Sequence, residues 1–358
     1  MSNPPFSLVW SLIIFFILLS ISGFFYVISY RGFKIQNLYS GFSTLSSAIL
    51  VTSFTVYEII YQIFPWPYGP YFVIVAIIVV LLHCTVWMIK KRKQDKNYSI
   101  LSEEEISIKP QLSLKEEYLR KSFHLAGVLV PIGYYWIFPW ANNIIYAIIT
   151  SPQGILLYER LWGSFSFYPY SIDDPTAPGE LIHFILWCSL IFMLIPEFIR
   201  IFSRSEYTMF HRLIKSVLRA KEYISIGPQV LLVLGAIGSF FLAQIGLYSY
   251  EIAVSSTFTA CVADGLVAVL GRRFGKHRMK ILNGEEKSIE GFVIGFVSAY
   301  ICSMIILGPL YAIFAAIIFL LLDVFSTYIS DNLLNPILLS IVVWIAYITI
   351  QFPLGWDF

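Results

Sequence analysis

Long apolar runs, recurring from Phe6 to Phe352 with short polar interruptions, leave this chain few folds to choose from. A helix needs about 20 residues to cross a hydrocarbon core of roughly 30 Å, and in that medium every backbone N–H and C=O must bond inside the protein. The runs fall near residues 6–29, 38–64, 70–89, 125–150, 181–199, 226–246, 251–270, 289–307, 309–329 and 333–352. They predict an all-α polytopic membrane protein of about ten transmembrane helices. With 58% of 358 residues hydrophobic, 13% charged and a mean hydropathy of +0.75, a soluble domain on a single anchor is excluded. The first run has no basic stretch before it and is longer than the apolar part of a signal peptide, so it reads as a helix of the mature chain. Cys84, Cys188, Cys261 and Cys302 lie within apolar runs without metal or CxxC spacing, and read as small core residues.

Basic residues test the parity of this count, because Lys and Arg concentrate in cytoplasmic loops. With the N-terminus outside, 23 of the 24 fall in inner loops, at 31–34, 90–121, 200–221 and 272–287. Only Arg160 lies outside, in an aromatic loop from Ser151 to Glu180 that also carries Glu159, Asp173 and Asp174. The expected organisation is an N-terminal three-helix membrane segment with a basic loop (1–97), a cytoplasmic connector ending in an interfacial helix (98–124) and a membrane-embedded domain (125–358). Pro65 to Pro70 and Gly308-Pro309 mark short outer hairpins. A net charge of +2 gives no basic excess that would point to nucleic acid. Oligomeric state is left open.

The inner face holds the chemistry. A helix carrying Asp264 runs into Gly271-Arg272-Arg273-Phe274-Gly275-Lys276, and the next helix begins near Lys287-Ser288-Ile289-Glu290-Gly291. Asp264, Ala268 and Gly271 share a helix face, where small side chains leave room for a ligand or a close helix. Ser288 can cap its helix, whose N-terminal N–H groups favour phosphate with Lys287 as counter-charge. A carboxylate at the membrane edge needs a partner, and Mg²⁺ held by one or two carboxylates plus substrate phosphates is one solution. A positive-inside loop with Asp264 paired to a local arginine is the other.

Glu116, Arg120 and His124 form an i, i+4, i+8 stripe where the fourth span begins, suited to an anion or to simple anchoring. Glu197 with Arg200, Lys221-Glu222 and Asp331-Asn332 are weaker signals, each with a structural explanation as pair or cap. Asp323 lies deeper, where a charge is a functional candidate. The glycine loop is one residue short of a Walker A sequence and lacks its Ser/Thr, and neither GxGxxG nor HExxH occurs.

Taken together these elements resemble the polyprenol kinase superfamily, which includes dolichol kinase, phytol kinase and CTP-dependent diacylglycerol kinases, with dolichol kinase the nearest. An acidic residue followed by Arg-Lys-x-x-His corresponds to Glu116 or Glu117 with Arg120-Lys121 and His124. Asp264 with Gly271-Arg272-Arg273-Phe274-Gly275, Lys287-Ser288-Ile289-Glu290-Gly291, and Asp331-Asn332-Leu333 with Pro336 follow in order. Ala263 stands where the family has glycine, and Ser330 where an acidic residue is frequent. The first three spans lie outside the match.

The resemblance implies transfer of the CTP γ-phosphate to the terminal hydroxyl of a long isoprenoid alcohol, at a multi-pass membrane protein whose site faces the cytoplasm. That membrane is the plasma membrane in a prokaryote and the endoplasmic reticulum in a eukaryote. It further implies Asp264 and Asp331 as Mg²⁺ ligands or base, and Lys287, Ser288 and Arg273 around the β- and γ-phosphates. Arg120, Lys121 and His124 close the other side, Gly271, Arg272, Gly275, Lys276 and Asn332 complete the nucleotide site, and Glu290 orients Lys287. Glu116, Glu197, Arg200 and Asp323 support it. A CTP:lipid-phosphate cytidylyltransferase has a similar core. A secondary transporter is a third reading, but it predicts polar groups near the bilayer midplane, and here the charges cluster at one face with Glu58 and Asp323 the main exceptions.

Overall fold

Apolar runs in this chain become helices almost throughout. The computed structural model describes residues 7–94, 114–122, 124–203, 205–210, 225–280, 286–325 and 328–356. Its helices are α1 Ser7–Lys34, α2 Leu38–Tyr61, α3 Tyr68–Gln94, α4 Leu114–Ser122, α5 Leu129–Ile132, α6 Phe138–Ile149, α7 Pro152–Trp162, α8 Ala177–Phe202, α9 Pro228–Gln244, α10 Tyr250–Phe274, α11 Ile289–Val324 and α12 Asp331–Ile350. Two three-residue strands, β1 Arg278–Lys280 and β2 Glu286–Ser288, pair antiparallel with Met279 opposite Lys287. Lys221-Glu222 and residues 98–113 of the expected connector lie outside the described residues.

Seven helices, α1, α2, α3, α8, α10, α11 and α12, are long and apolar enough to cross a membrane. The chain is a membrane-embedded all-α protein. Four of the ten expected spans take other forms, and of these the run 226–246 is the 17-residue α9, shorter than the seven. The run 125–150 is not one helix: a 3₁₀ turn at His124–Val128, the four-residue α5, a π turn at Gly133–Ile137 and α6 follow one another. Pro131 and Pro139 each lack a ladder N–H, which hydropathy cannot register. The runs 289–307 and 309–329 are joined in α11, 36 residues that as a straight rod would extend roughly 54 Å. Its two ends nevertheless meet, since Lys287 Nζ, just before it, lies 2.5 Å from Asp323 Oδ1. Gly308, at φ 79° and ψ 169° and followed by Pro309, is where the chain reverses. A side chain there would need a disfavoured left-handed φ and would bring a Cβ to 2.1 Å from the Gly355 carbonyl oxygen.

Packing divides into two apolar clusters. One joins α1, α2, α3, α8 and α9 around Leu18, Phe54, Phe72, Trp187 and Leu231. The other joins α9 to α12 around Phe240, Tyr311, Phe319 and Leu339. On α2 the buried stripe is mostly small and hydroxylated, including Ser40, Ser43, Thr44, Ser47, Ala48 and Val51. Such a stripe lets backbones come close: a Cβ on Gly32 would sit 2.7 Å from the Gly41 nitrogen. Helix α10 is central, touching α4, the 3₁₀ turn, α9, α11 and α12.

Candidate functional site

Asp264 lies two-thirds of the way along α10, at the end of the bundle where α4 stops, α11 begins and ends, and α12 starts. The break after α4 is what lets that segment reach it. Gly127 sits so near Cys261 of α10 that a Cβ would fall 2.3 Å from the Cys261 Cβ. This approach buries Lys121 and His124, 5% and 2% exposed, against the carboxylate. Lys121 donates to Asp264 Oδ2, and His124 Nε2 lies 3.1 Å from the same oxygen. The same nitrogen is 3.3 Å from Asn332 Oδ1 at the start of α12. Facing two acceptors, Nε2 is placed to donate, and His124 Nδ1 is buried with no partner among the described residues. Asn332 Nδ2 in turn donates to the Pro228 carbonyl at 3.4 Å, tying in the first turn of α9.

A second pair stands beside the first. Lys287 Nζ donates to Asp323 Oδ1 at 2.5 Å and to the Asp323 carbonyl at 2.9 Å. Burial alone would lower the Lys287 pKa, but the Asp323 carboxylate outweighs it and holds the ammonium above its ordinary value, with Asp331 and Asp264 adding to the effect. The three acidic residues thus converge electrostatically on one lysine. Asp323 Oδ2 is buried without a partner among the described residues. Asp331 is exposed and accepts from the Asn332 N–H at 2.9 Å.

The structure revises several expected roles. Asp264 pairs with Lys121 and His124 rather than with a local arginine. Glu290 does not orient Lys287: it bonds His277 Nδ1 at 2.7 Å and the backbone N–H groups of Lys276 and His277 at 3.1 and 3.2 Å, folding the basic loop onto its own helix. Ser288 caps α11, accepting from Gly291 N–H at 3.1 Å while donating to the Gly271 carbonyl at 3.3 Å. The motif glycines are explained by helix contact, since a Cβ on Gly271 would lie 3.2 Å from the Gly291 Cα and one on Gly275 2.4 Å from Ser288 Oγ. Arg272, Arg273 and Lys276 are exposed at the end of α10, and Arg273 covers the Phe274 ring. Arg120 is buried on α4 and Glu116 is half-buried on the same helix.

Glu197 and Arg200 are both 1% exposed and bonded at 2.5 Å. Glu197 also accepts from the Gly227 N–H at 3.0 Å, and Arg200 donates to the Ser225 carbonyl at 2.5 Å, so this pair fixes the segment leading into α9. The Lys287–Asp323 pairing is a contact that sequence reasoning missed. The signal was present, because a carboxylate deep in an apolar run requires a cationic partner.

Comparison with known proteins adds no assignment. No protein-family model, no curated protein and no solved structure matches this chain.

Among the described residues no group of three or more His, Cys, Asp or Glu could hold a metal ion. One or two carboxylates completed by phosphate oxygens remain compatible, and the unpartnered Asp323 Oδ2 and the exposed Asp331 are the oxygens open to that use.

Proposed function

We propose that the chain is a CTP-dependent lipid kinase that transfers the γ-phosphate of CTP to the terminal hydroxyl of a polyisoprenoid alcohol such as dolichol, giving the monophosphate. One observation carries this reading. Segments far apart in sequence, 120–124, 264–275, 287–291 and 323–332, meet at one end of the bundle as Lys121–Asp264–His124–Asn332 beside Lys287–Asp323. Phosphoryl transfer depends on positioning and on cations around the triphosphate. Lys121 and Lys287 each hold a carboxylate that a phosphate oxygen can replace without loss of charge pairing. Exposed Arg272, Arg273 and Lys276 draw the nucleotide in, and Arg120 lines the inner side. His124, fixed through Nε2–H, keeps Nδ1 for the proton of the attacking hydroxyl. Bound Mg²⁺ would neutralise charge on the triphosphate, with Asp323 and Asp331 the better-placed ligands and Asp264 mainly the residue that holds Lys121 and His124.

The topology belongs to the same proposal. Counting α11 as two crossings, and α9 and the broken segment 124–149 as one each, returns ten crossings, with the N-terminus outside and the Asp264 end in the cytoplasm. Purified protein in detergent with Mg²⁺ is given CTP labelled at the α or the γ phosphate, together with polyprenol, dolichol, phytol, diacylglycerol and phosphatidate. Label from γ alone on an isoprenoid alcohol is the expected result. Label from α on a lipid phosphate makes the protein a cytidylyltransferase, and transfer from neither position removes the reading and brings transport forward.

A further inference from the structure

Helices α1 and α2 lie outside every motif behind the kinase reading, yet one α2 hydroxyl is bonded to the residues just before Asp331. Ser43 Oγ accepts from the Ser330 backbone N–H at 2.9 Å and stands 3.4 Å from the Tyr328 carbonyl, to which it donates. Both serines are 0% exposed. The Phe42 ring lies 6.2 Å from that of Tyr328 and adds an apolar contact beside the bond.

A buried backbone N–H must find a partner, and here it comes from 287 positions away in the chain. The helix does not supply its own. Ser330 is the N-cap of α12, but its side chain makes no capping bond and its Oγ is buried without a partner among the described residues. The start of α12 is therefore located by α2. That first turn carries Asp331 and Asn332, and the Ser330 carbonyl accepts from Leu333 and Leu334 N–H, both at 3.1 Å. A shift at Ser330 moves Asn332 against His124, which it meets at 3.3 Å, and hence the ring that faces Asp264.

We propose that α2 is part of the site and that Ser43 is a positioning residue for Asp331, Asn332 and, through Asn332, His124. The consequence for activity rests on the kinase reading, whereas the location of α12 by α2 does not.

The test uses the full chain with Ser43→Ala and Ser43→Cys, the second keeping size and a weak acceptor in case the first does not fold. Backbone hydrogen exchange over residues 328–334 is expected to accelerate about five- to tenfold in Ser43→Ala and less in Ser43→Cys, with α9 and α10 unchanged. With γ-labelled CTP and polyprenol, kcat falls about tenfold while KM for each substrate stays within about twofold. Unchanged exchange over 328–334 in both variants overturns the proposal whatever the activity. Faster exchange with wild-type kcat reduces Ser43 to a structural contact and overturns its positioning role. Should the wild type transfer no γ label, the kinase reading falls, and the exchange measurement still decides whether α2 locates α12.

Discussion

The two ends of the bundle bury their carboxylates in opposite ways. At one end Asp264 meets Lys121 and His124, Asp323 meets Lys287, and Glu197 meets Arg200. At the opposite ends of α8 and α10, Glu180 accepts from the Tyr170 hydroxyl and Glu251 from Tyr134 at 3.0 Å. Neither of these has a cationic partner among the described residues. Burial, with Glu180 adding, pushes the Tyr170 phenol far above its ordinary pKa, so it stays a neutral donor. Around it stand Tyr68, Tyr158, Tyr168, Trp66 and Trp162, an aromatic belt of the kind found at a membrane interface. Buried acids are thus not what would distinguish the proposed phosphate site in this molecule. The cations beside them are, because a lysine can exchange a carboxylate for a phosphate oxygen and a tyrosine hydroxyl brings no charge to exchange.

Substitutions at both ends sharpen this contrast. Asp264→Asn is expected to lower γ-phosphate transfer roughly 1,000-fold with the fold retained, since Lys121 and His124 lose their shared anchor. The equivalent Glu180→Gln should stay within about threefold. Comparable losses from both in the labelled-CTP assay would erase the distinction between the ends. Lys287→Met should cost roughly a hundredfold in kcat.

Asp323→Asn tests the same pair through pH. Losing the carboxylate lowers the raised Lys287 pKa, so the alkaline fall in activity, which follows ammonium deprotonation, should move to lower pH. An unmoved limb in the pH–rate profile would separate the charge on Lys287 from turnover. Glu197→Ala leaves Arg200 buried and should cost about 3–5 kcal/mol of stability, read as thermal unfolding in detergent, with Arg200→Met in the same chain recovering much of it. Tyr134→Phe is the smallest change, about 1 kcal/mol of stability with turnover unaltered.

Much of this was legible beforehand where local chemistry decides. Gly308-Pro309 is a turn signal whatever surrounds it, and the chain reverses there. Ser288 ahead of Gly291 is a cap by its own side chain. Asp264, Lys121 and His124 each stand out in the sequence, but their contact depends on Gly127 letting a 3₁₀ segment close on Cys261, and hydropathy reads only that the segment is apolar. Glu290 looked available to Lys287 because the two are three positions apart. Lys287 lies in β2, outside the helix that Glu290 joins, so helical spacing does not apply across Ser288. Ser43 gave no signal, since a serine in a small-residue stripe looks alike whether it packs or holds a distant N–H.

The reversal at Gly308 also bears on how the site is assembled. Lys287 lies just before the first limb of one helical hairpin and Asp323 at the end of the second, so both partners of this ion pair lie within a single continuous stretch of chain. An unpaired charge is costly to hold in lipid, and within the hairpin the lysine and aspartate neutralise each other. That ion pair is internal to the hairpin, whereas the Lys121–Asp264–His124–Asn332 contacts join α4, the 3₁₀ turn, α10 and α12.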